Sequence, residues 1–202
     1  MSEKWQNFLI ENRIVVDREY GQDLRNEADL IEFENHEKIV LPDDYKSFCS
    51  FLGSGEFTKK LGSNCNLRIR CPDVEYSNEI IDSLKISLSY EMESGKASKL
   101  EELGNSLSSA FVFADSSKAH IFLWDLRTYN ESNKNCEIYL VSTHDSPLTA
   151  YSISHDFFDF VSGFGLGAKS YTFLPKRLKP KRQQPCTFAC IPRNYSTLQV
   201  SL

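Results

Sequence analysis

At 202 residues and 23.2 kDa, with 41% hydrophobic and 25% charged residues, the chain has the make-up of one globular domain. No stretch approaches the roughly 18 apolar residues of a membrane helix. The opening MSEKWQNFLIEN is broken by Glu3, Asn7 and Glu11, which excludes a secretory signal and makes the cytoplasm the expected compartment. All 28 acids stand at or before Asp159 with 16 of the 23 bases, a balance of −12, whereas residues 160–202 hold seven bases and no acid. Such an acidic body disfavours nucleic acid and favours a basic partner, although a merely solvated acidic surface explains the charge as well. The six cysteines are scattered, and free thiols are expected.

Trp5, Phe8 and Leu9 predict a short N-terminal helix, followed by an exit or edge segment at Ile14 to Val16. Residues 17–27 are strongly charged and read as a loosely packed arm. Ala28 to His36 reads as a weakly amphipathic helix. The clearest element comes next, in IVLPDDYKSFCSFLGSG at 39–55. Pro42 suits a helix start, and Asp43 and Asp44 complement its dipole. Tyr45, Phe48, Cys49 and Leu52 share one stripe, widened by Phe51, and Gly53 can close the helix in a left-handed turn.

Leu67 to Arg70 alternates as a half-buried strand and ends at Pro72. Ile80, Ile81, Leu84 and Leu88 place a long surface helix over Ser77 to Tyr90. A polar loop over Glu91 to Lys99 and a helical turn at Leu100 to Leu103 follow. Phe111 to Ala114 and His120 to Leu126 form a hairpin around Ser116-Ser117-Lys118. In the second of these strands both faces are apolar, so it is expected to be central, with Trp124 in the core or, alternatively, exposed for recognition. After a polar loop at 129–135, strands follow at Cys136 to Val141 and Leu148 to Ile153. Phe157, Phe160, Val161 and Phe164 mark a closing helix stopped by glycines 163, 165 and 167. This order predicts an α+β fold, its sheet covered on one face. Beyond Leu174, PKRLKPKR at 175–182 holds five bases and two prolines and predicts a flexible tail that buries nothing.

Five pieces of the chain, in order, resemble the SUKH superfamily, known also for fungal cell-wall glucan-synthesis regulators. They are LPDDYKSFCSFLGSGE at 41–56, LRIRCPDVEYSNEIIDSL at 67–84, FVFADSSKAHIFLWDL at 111–126, EIYLVSTHD at 137–145 and DFFDFVSGFGLG at 156–167. Gly53-Ser54-Gly55 stands where family members often have Asn-Gly-Gly. The resemblance implies a single α+β domain, an antiparallel curved sheet with helices packed on it. It divides the chain into an N-terminal helical arm (1–27), the SUKH-like domain (28–174) and the basic tail (175–202). It also implies a non-enzymatic, protein-binding role. Bacterial members are proposed as immunity proteins that neutralise toxins; fungal relatives act as scaffolding regulators, which gives the alternative.

Motif chemistry points the same way. HExxH, paired CxxC, GxSxG and GxxxxGK[ST] are all missing, and neither Cys65-x₅-Cys71 nor Cys186-x₃-Cys190 has zinc spacing. His120, His144 and His155 with Asp125, Asp145 and Asp156 form no metal motif. No catalytic residue, metal or cofactor is expected. The expected partner is a protein, a basic toxin domain being the concrete case, with nucleic acid reachable only through the tail. Candidate contacts, chosen for charge and loop placement, are Glu56, Asp115, Asp125 and Glu131, with Tyr129 as an aromatic anchor.

Overall fold

The computed structural model describes residues 2–19, 21–59, 67–93, 100–116, 119–180 and 186–192. Its elements are α1 (Ser2–Glu11), β1 (Val15–Asp17), α2 (Glu27–Glu37), α3 (Asp43–Phe51), β2 (Gly55–Lys59), β3 (Leu67–Ile69), α4 (Val74–Glu93) and α5 (Leu100–Leu107). Then come β4 (Ala110–Ser116), β5 (His120–Asn130), β6 (Asn135–Ser142), β7 (Thr149–Ser154), α6 (Phe157–Asp159), a π-helical turn (Phe160–Gly165) and β8 (Cys186–Cys190). The eight strands form one open sheet in the order β1-β8-β2-β3-β4-β5-β6-β7. The α+β class stands as expected. No helix among the described residues is long and apolar enough to cross a membrane.

α3 forms where its signals place it. Pro42 precedes the first helical residue with φ −58°, and Gly53 leaves the helix in the left-handed region at φ 75°. Its stripe of Tyr45, Phe48, Cys49 and Leu52 is fully buried. Phe48 sits in a nest of rings from distant elements. Its centroid lies 5.0 Å from Trp5, 5.5 Å from Phe157 and 5.7 Å from Phe188. Tyr45 packs edge-on to Trp124 at 4.7 Å and donates its hydroxyl to the Arg70 carbonyl at 2.5 Å. That bond satisfies the one polar atom on an otherwise apolar stripe.

Strand alternation explains the sheet. Phe122 and Trp124 face the α3 side, while Ile121 and Leu123 face α4 and α5. Trp124 is wholly buried and stacks on Phe113 at 4.0 Å, so it is a core residue and no recognition side chain. The expectation of one covered face is corrected. α4 and α5 cover the second face of β4 to β7 with their own apolar cluster, because Ile80, Ile81, Leu84 and Leu88 line up against Val112, Ile121, Leu123 and Val141.

Several other expectations are revised. β1 runs parallel to β8, so the sheet is mixed rather than wholly antiparallel. β2, unpredicted, pairs with β3 and β8. Of the expected tail, residues 175–180 and 186–192 are described and bury side chains: Leu178 and Phe188 are at most 3% exposed, and β8 fills the gap between β1 and β2. Residues 181–185 and 193–202 lie outside the described residues. Phe188 and Cys190, alternating with Thr187 and Ala189, supply the inward face that the preceding prolines and lysines obscure. Residues 17–27 are not loosely packed either. The carboxylate of Asp23 is buried, accepts from Ser54 Oγ at 2.8 Å and pairs with Arg25 Nε at 3.1 Å. The expected polar loop at 129–135 is shorter, because β5 runs to Asn130. The closing helix is one α turn that widens into the π turn. Ser117 and Lys118 of the hairpin turn, Ser94 to Lys99 of the polar loop, Cys65 and the bases Lys181 and Arg182 lie outside the described residues.

Candidate recognition surface

Cross-strand register gathers the first two candidate acids on the sheet's second face. Glu56 pairs with Arg68 and Arg68 with Asp115, which sets the three side chains in a row over β2, β3 and β4. Arg68 Nη2 lies 3.3 Å from Glu56 Oε2, and Arg68 Nη1 lies 3.7 Å from Asp115 Oδ1. Arg70 Nε reaches Asp115 Oδ2 at 3.2 Å, and Tyr76 donates its hydroxyl to the same oxygen at 2.8 Å. The Arg70 guanidinium also lies 3.9 Å above the Tyr76 ring, a cation–π contact. Burial, reinforced by the Asp115 charge, raises the Tyr76 hydroxyl's pKa and keeps it a donor. Glu56 and Asp115 are therefore engaged inside the molecule.

The other three candidates lie at the far end of β5. Asp125 stands four residues beyond Ile121, the partner of Asp115, or about 13 Å along the strand. It is 2% exposed, so the expectation that its carboxylate touches a partner is corrected. Asp125 holds Arg127 instead: Oδ1 accepts from Arg127 Nε at 2.8 Å and from the Arg127 backbone at 3.1 Å, and Oδ2 accepts from Nη2. Ser106 Oγ of α5 takes a further bond from Nη2 at 2.9 Å. The Arg127 side chain is 48% exposed. A buried carboxylate thus fixes a cation at the surface.

That cation edges an open groove of roughly 450 Å³, lined by Lys38, Ile39, Val40, Ser109, Leu126, Arg127 and Tyr129. The groove exists because β5 extends past the start of β4, while Lys38, in the left-handed region at φ 58°, turns the chain from α2 across that overhang. Leu126 and Tyr129 pack partly against the core and form an apolar floor with Ile39 and Val40. The Tyr129 hydroxyl has a raised pKa, from burial first and the charge of Asp43 second, with Lys46 and Lys134 opposing. Glu131 is exposed in the turn that follows β5. The structure therefore brings Tyr129, Asp125 and Glu131 to one end and leaves Glu56 and Asp115 elsewhere.

Lys38, Ile39, Val40 and Arg127 were not anticipated. For Arg127 a signal existed: residues two apart on a strand share a face, so Asp125 and Arg127 are neighbours by alternation. Nothing in the sequence announced that residues 38–40 would meet β5.

The remaining chemistry is sparse. Among the described residues no three His, Cys, Asp or Glu side chains are grouped to hold a metal ion. Cys49, Cys71, Cys136 and Cys190 are buried free thiols. Burial, followed by the Asp125 charge, pushes Cys136 up to about 12 and Cys49 is raised well above its ordinary value by burial, so neither is a thiolate at neutral pH.

Comparison with family profiles matches residues 26–163 to the SMI1 / KNR4 family (SUKH-1). The chain belongs to this family. The SUKH-1 match runs from the N-cap of α2 into the π turn, and so takes in the ion row, β5 and the groove. α1, β1 and β8 lie outside it. Comparisons with curated proteins and with solved structures give no match. SUKH-1 proteins are known as immunity proteins and related regulators and are generally non-enzymatic.

Proposed function

We propose that this SUKH-1 protein is a non-enzymatic binding module, an immunity protein that neutralises a cognate toxin by stoichiometric association. Membership of the family over residues 26–163 is the observation that carries the reading. The groove supports it by offering an anchor. Tyr and Arg dominate the energetics of many interfaces, and a side chain already held in place loses little entropy on binding. Here Tyr129 supplies the aromatic surface, and Asp125 holds Arg127 in readiness. Glu131 on the adjoining turn adds a carboxylate for a basic toxin. Glu56 and Asp115 lie away from the groove and bridge β2, β3 and β4 through Arg68 and Arg70.

The test is co-expression with a toxin domain encoded beside this protein's gene, where one is found, scored as growth, with calorimetric titration of the two purified proteins. Protection and 1:1 association are expected, with Tyr129→Ala lowering the affinity at least tenfold and weakening protection accordingly. Association without protection would replace this reading by the alternative, a scaffold or regulator of an endogenous partner. Neither protection nor association would end both for that pair.

A further inference from the structure

α4 carries a second surface that neither the fold nor the groove uses. Its inner stripe, with Ile80, Ile81, Leu84 and Leu88, is buried against the sheet. At 100° per residue, Glu75, Glu79, Asp82, Ile86, Tyr90 and Glu93 fall within about 80° on the opposite side. All six are exposed, Ile86 by 58%, Tyr90 by 70% and the Asp82 side chain by 70%. Ile86 and Tyr90 are one turn apart, so the stripe has an apolar centre with carboxylates at both ends. The one base within α4, Lys85, lies on the flank and pairs with Asp82 at 3.5 Å.

The stability of α4 does not explain this arrangement. Glu75 suits the first helical turn, and Glu91 accepts from the Leu148 backbone at 2.7 Å. Glu93, by contrast, stands in a last turn that has no base, against the helix dipole. A β-branched and an aromatic residue lose side-chain freedom in a helix, and at Ile86 and Tyr90, 58% and 70% exposed, burial offsets little of it.

We propose that this stripe is a docking face for a cationic protein segment that presents apolar side chains. Charge decides the partner's class. The four carboxylates repel phosphate backbones and anionic lipid, and they steer and then pair with lysine and arginine. The apolar centre supplies the short-range contact. The proposal does not depend on the toxin reading, since a basic segment of any protein partner suffices.

A synthetic 18-residue peptide tests it, with lysines at both ends and leucine and tryptophan at its centre. It is titrated into the full-length ¹⁵N-labelled chain at 50 and 300 mM salt. Amide shifts confined to residues 75–93 are expected. Raising salt should weaken binding several-fold, and Ile86→Ser with Tyr90→Ser at least tenfold, with the charge unchanged. Glu79→Lys with Asp82→Lys should abolish it. All these positions are exposed, so an unchanged amide spectrum verifies folding of each variant. Shifts that map elsewhere, or an all-lysine peptide that binds equally well, would overturn the proposal. So would self-association of the chain lost in Ile86→Ser with Tyr90→Ser, because the stripe would then belong to a second copy.

Discussion

Asp125 and Arg127 form an ion pair with one member inside the protein and the other outside it. The carboxylate is almost fully buried, whereas the guanidinium two residues later is half in solvent and lines the groove. Removing Arg127 leaves a buried charge without its counter-ion, while removing both leaves neither. Arg127→Ala should therefore lower the unfolding midpoint more than Asp125→Asn with Arg127→Ala does. Urea unfolding of the two single variants and the double variant measures the coupling. Additive effects would mean that the pair is unimportant to the fold.

The aromatic nest around Phe48 makes a sharper stability prediction. Phe48→Ala should cost about 3–5 kcal/mol, as truncation of a fully buried ring does. Phe188→Ala should cost a similar amount, since its ring lies 4.8 Å from Phe57 and 5.7 Å from Phe48. Lys176→Ala, at an exposed position, should cost nothing measurable. If Phe188→Ala were equally silent, β8 would not belong to the folded core.

Gly55 admits β8 to the sheet. A Cβ there would come 2.2 Å from Phe188 Cζ and 2.8 Å from the Ala189 carbonyl. Gly55→Ala should expel β8 and leave β1 without a strand to pair with. Hydrogen exchange should then accelerate at 15–17 and 186–190 and stay slow in β5 and β6. Unaltered protection at 186–190 would show that the two strands can separate without loss of pairing.

Burial of acidic hydrogens predicts an alkaline limit. Burial pushes the Cys136 thiol and the Tyr171 hydroxyl up to about 12, against ordinary values near 8.5 and 10. Each keeps its proton when folded and loses it sooner when unfolded. Their contribution is complete below the unfolded-state value and is lost as pH climbs towards 12. Stability should fall between about pH 8.5 and 12, and Cys136→Ala should make that fall shallower. Stability rising with pH over this window would contradict the buried, protonated assignment.

The match to residues 26–163 does not coincide with the packed unit. Trp5, Phe8 and Phe188 lie outside it, yet they share one core with Phe48 and Phe57. A fragment of residues 26–163 should bind a hydrophobic dye and unfold without a cooperative transition, unlike the full chain. A cooperative fragment would show that the outer segments only decorate the domain.

Legibility in the sequence followed the strength of local signals. α3 was readable because Pro42, the aromatic stripe and Gly53 agree within a dozen residues. β4, β5 and β6 were readable because each carries a run of apolar, largely aromatic or β-branched residues bounded by polar turns. β2 and β8, each five residues, are short and flanked by turn-forming or basic stretches, so their pairing is decided by distant partners. Charge placement was the least legible. Glu56 and Asp115 looked available until strand register put Arg68 and Arg70 beside them. The groove depends on the meeting of residues 38–40 with β5, which no local pattern encodes.

β8 follows every other described strand in the chain, yet it lies inside the sheet and holds β1 on its far side. During synthesis the nascent chain must reach residues 186–190 before β1 has a neighbour and before Phe48 and Phe57 are shielded. Two strands far apart in the chain thus fasten the fold. A chain cut short before β8 would therefore reach the cell as an unclosed, sticky body, exposed to chaperones and proteases.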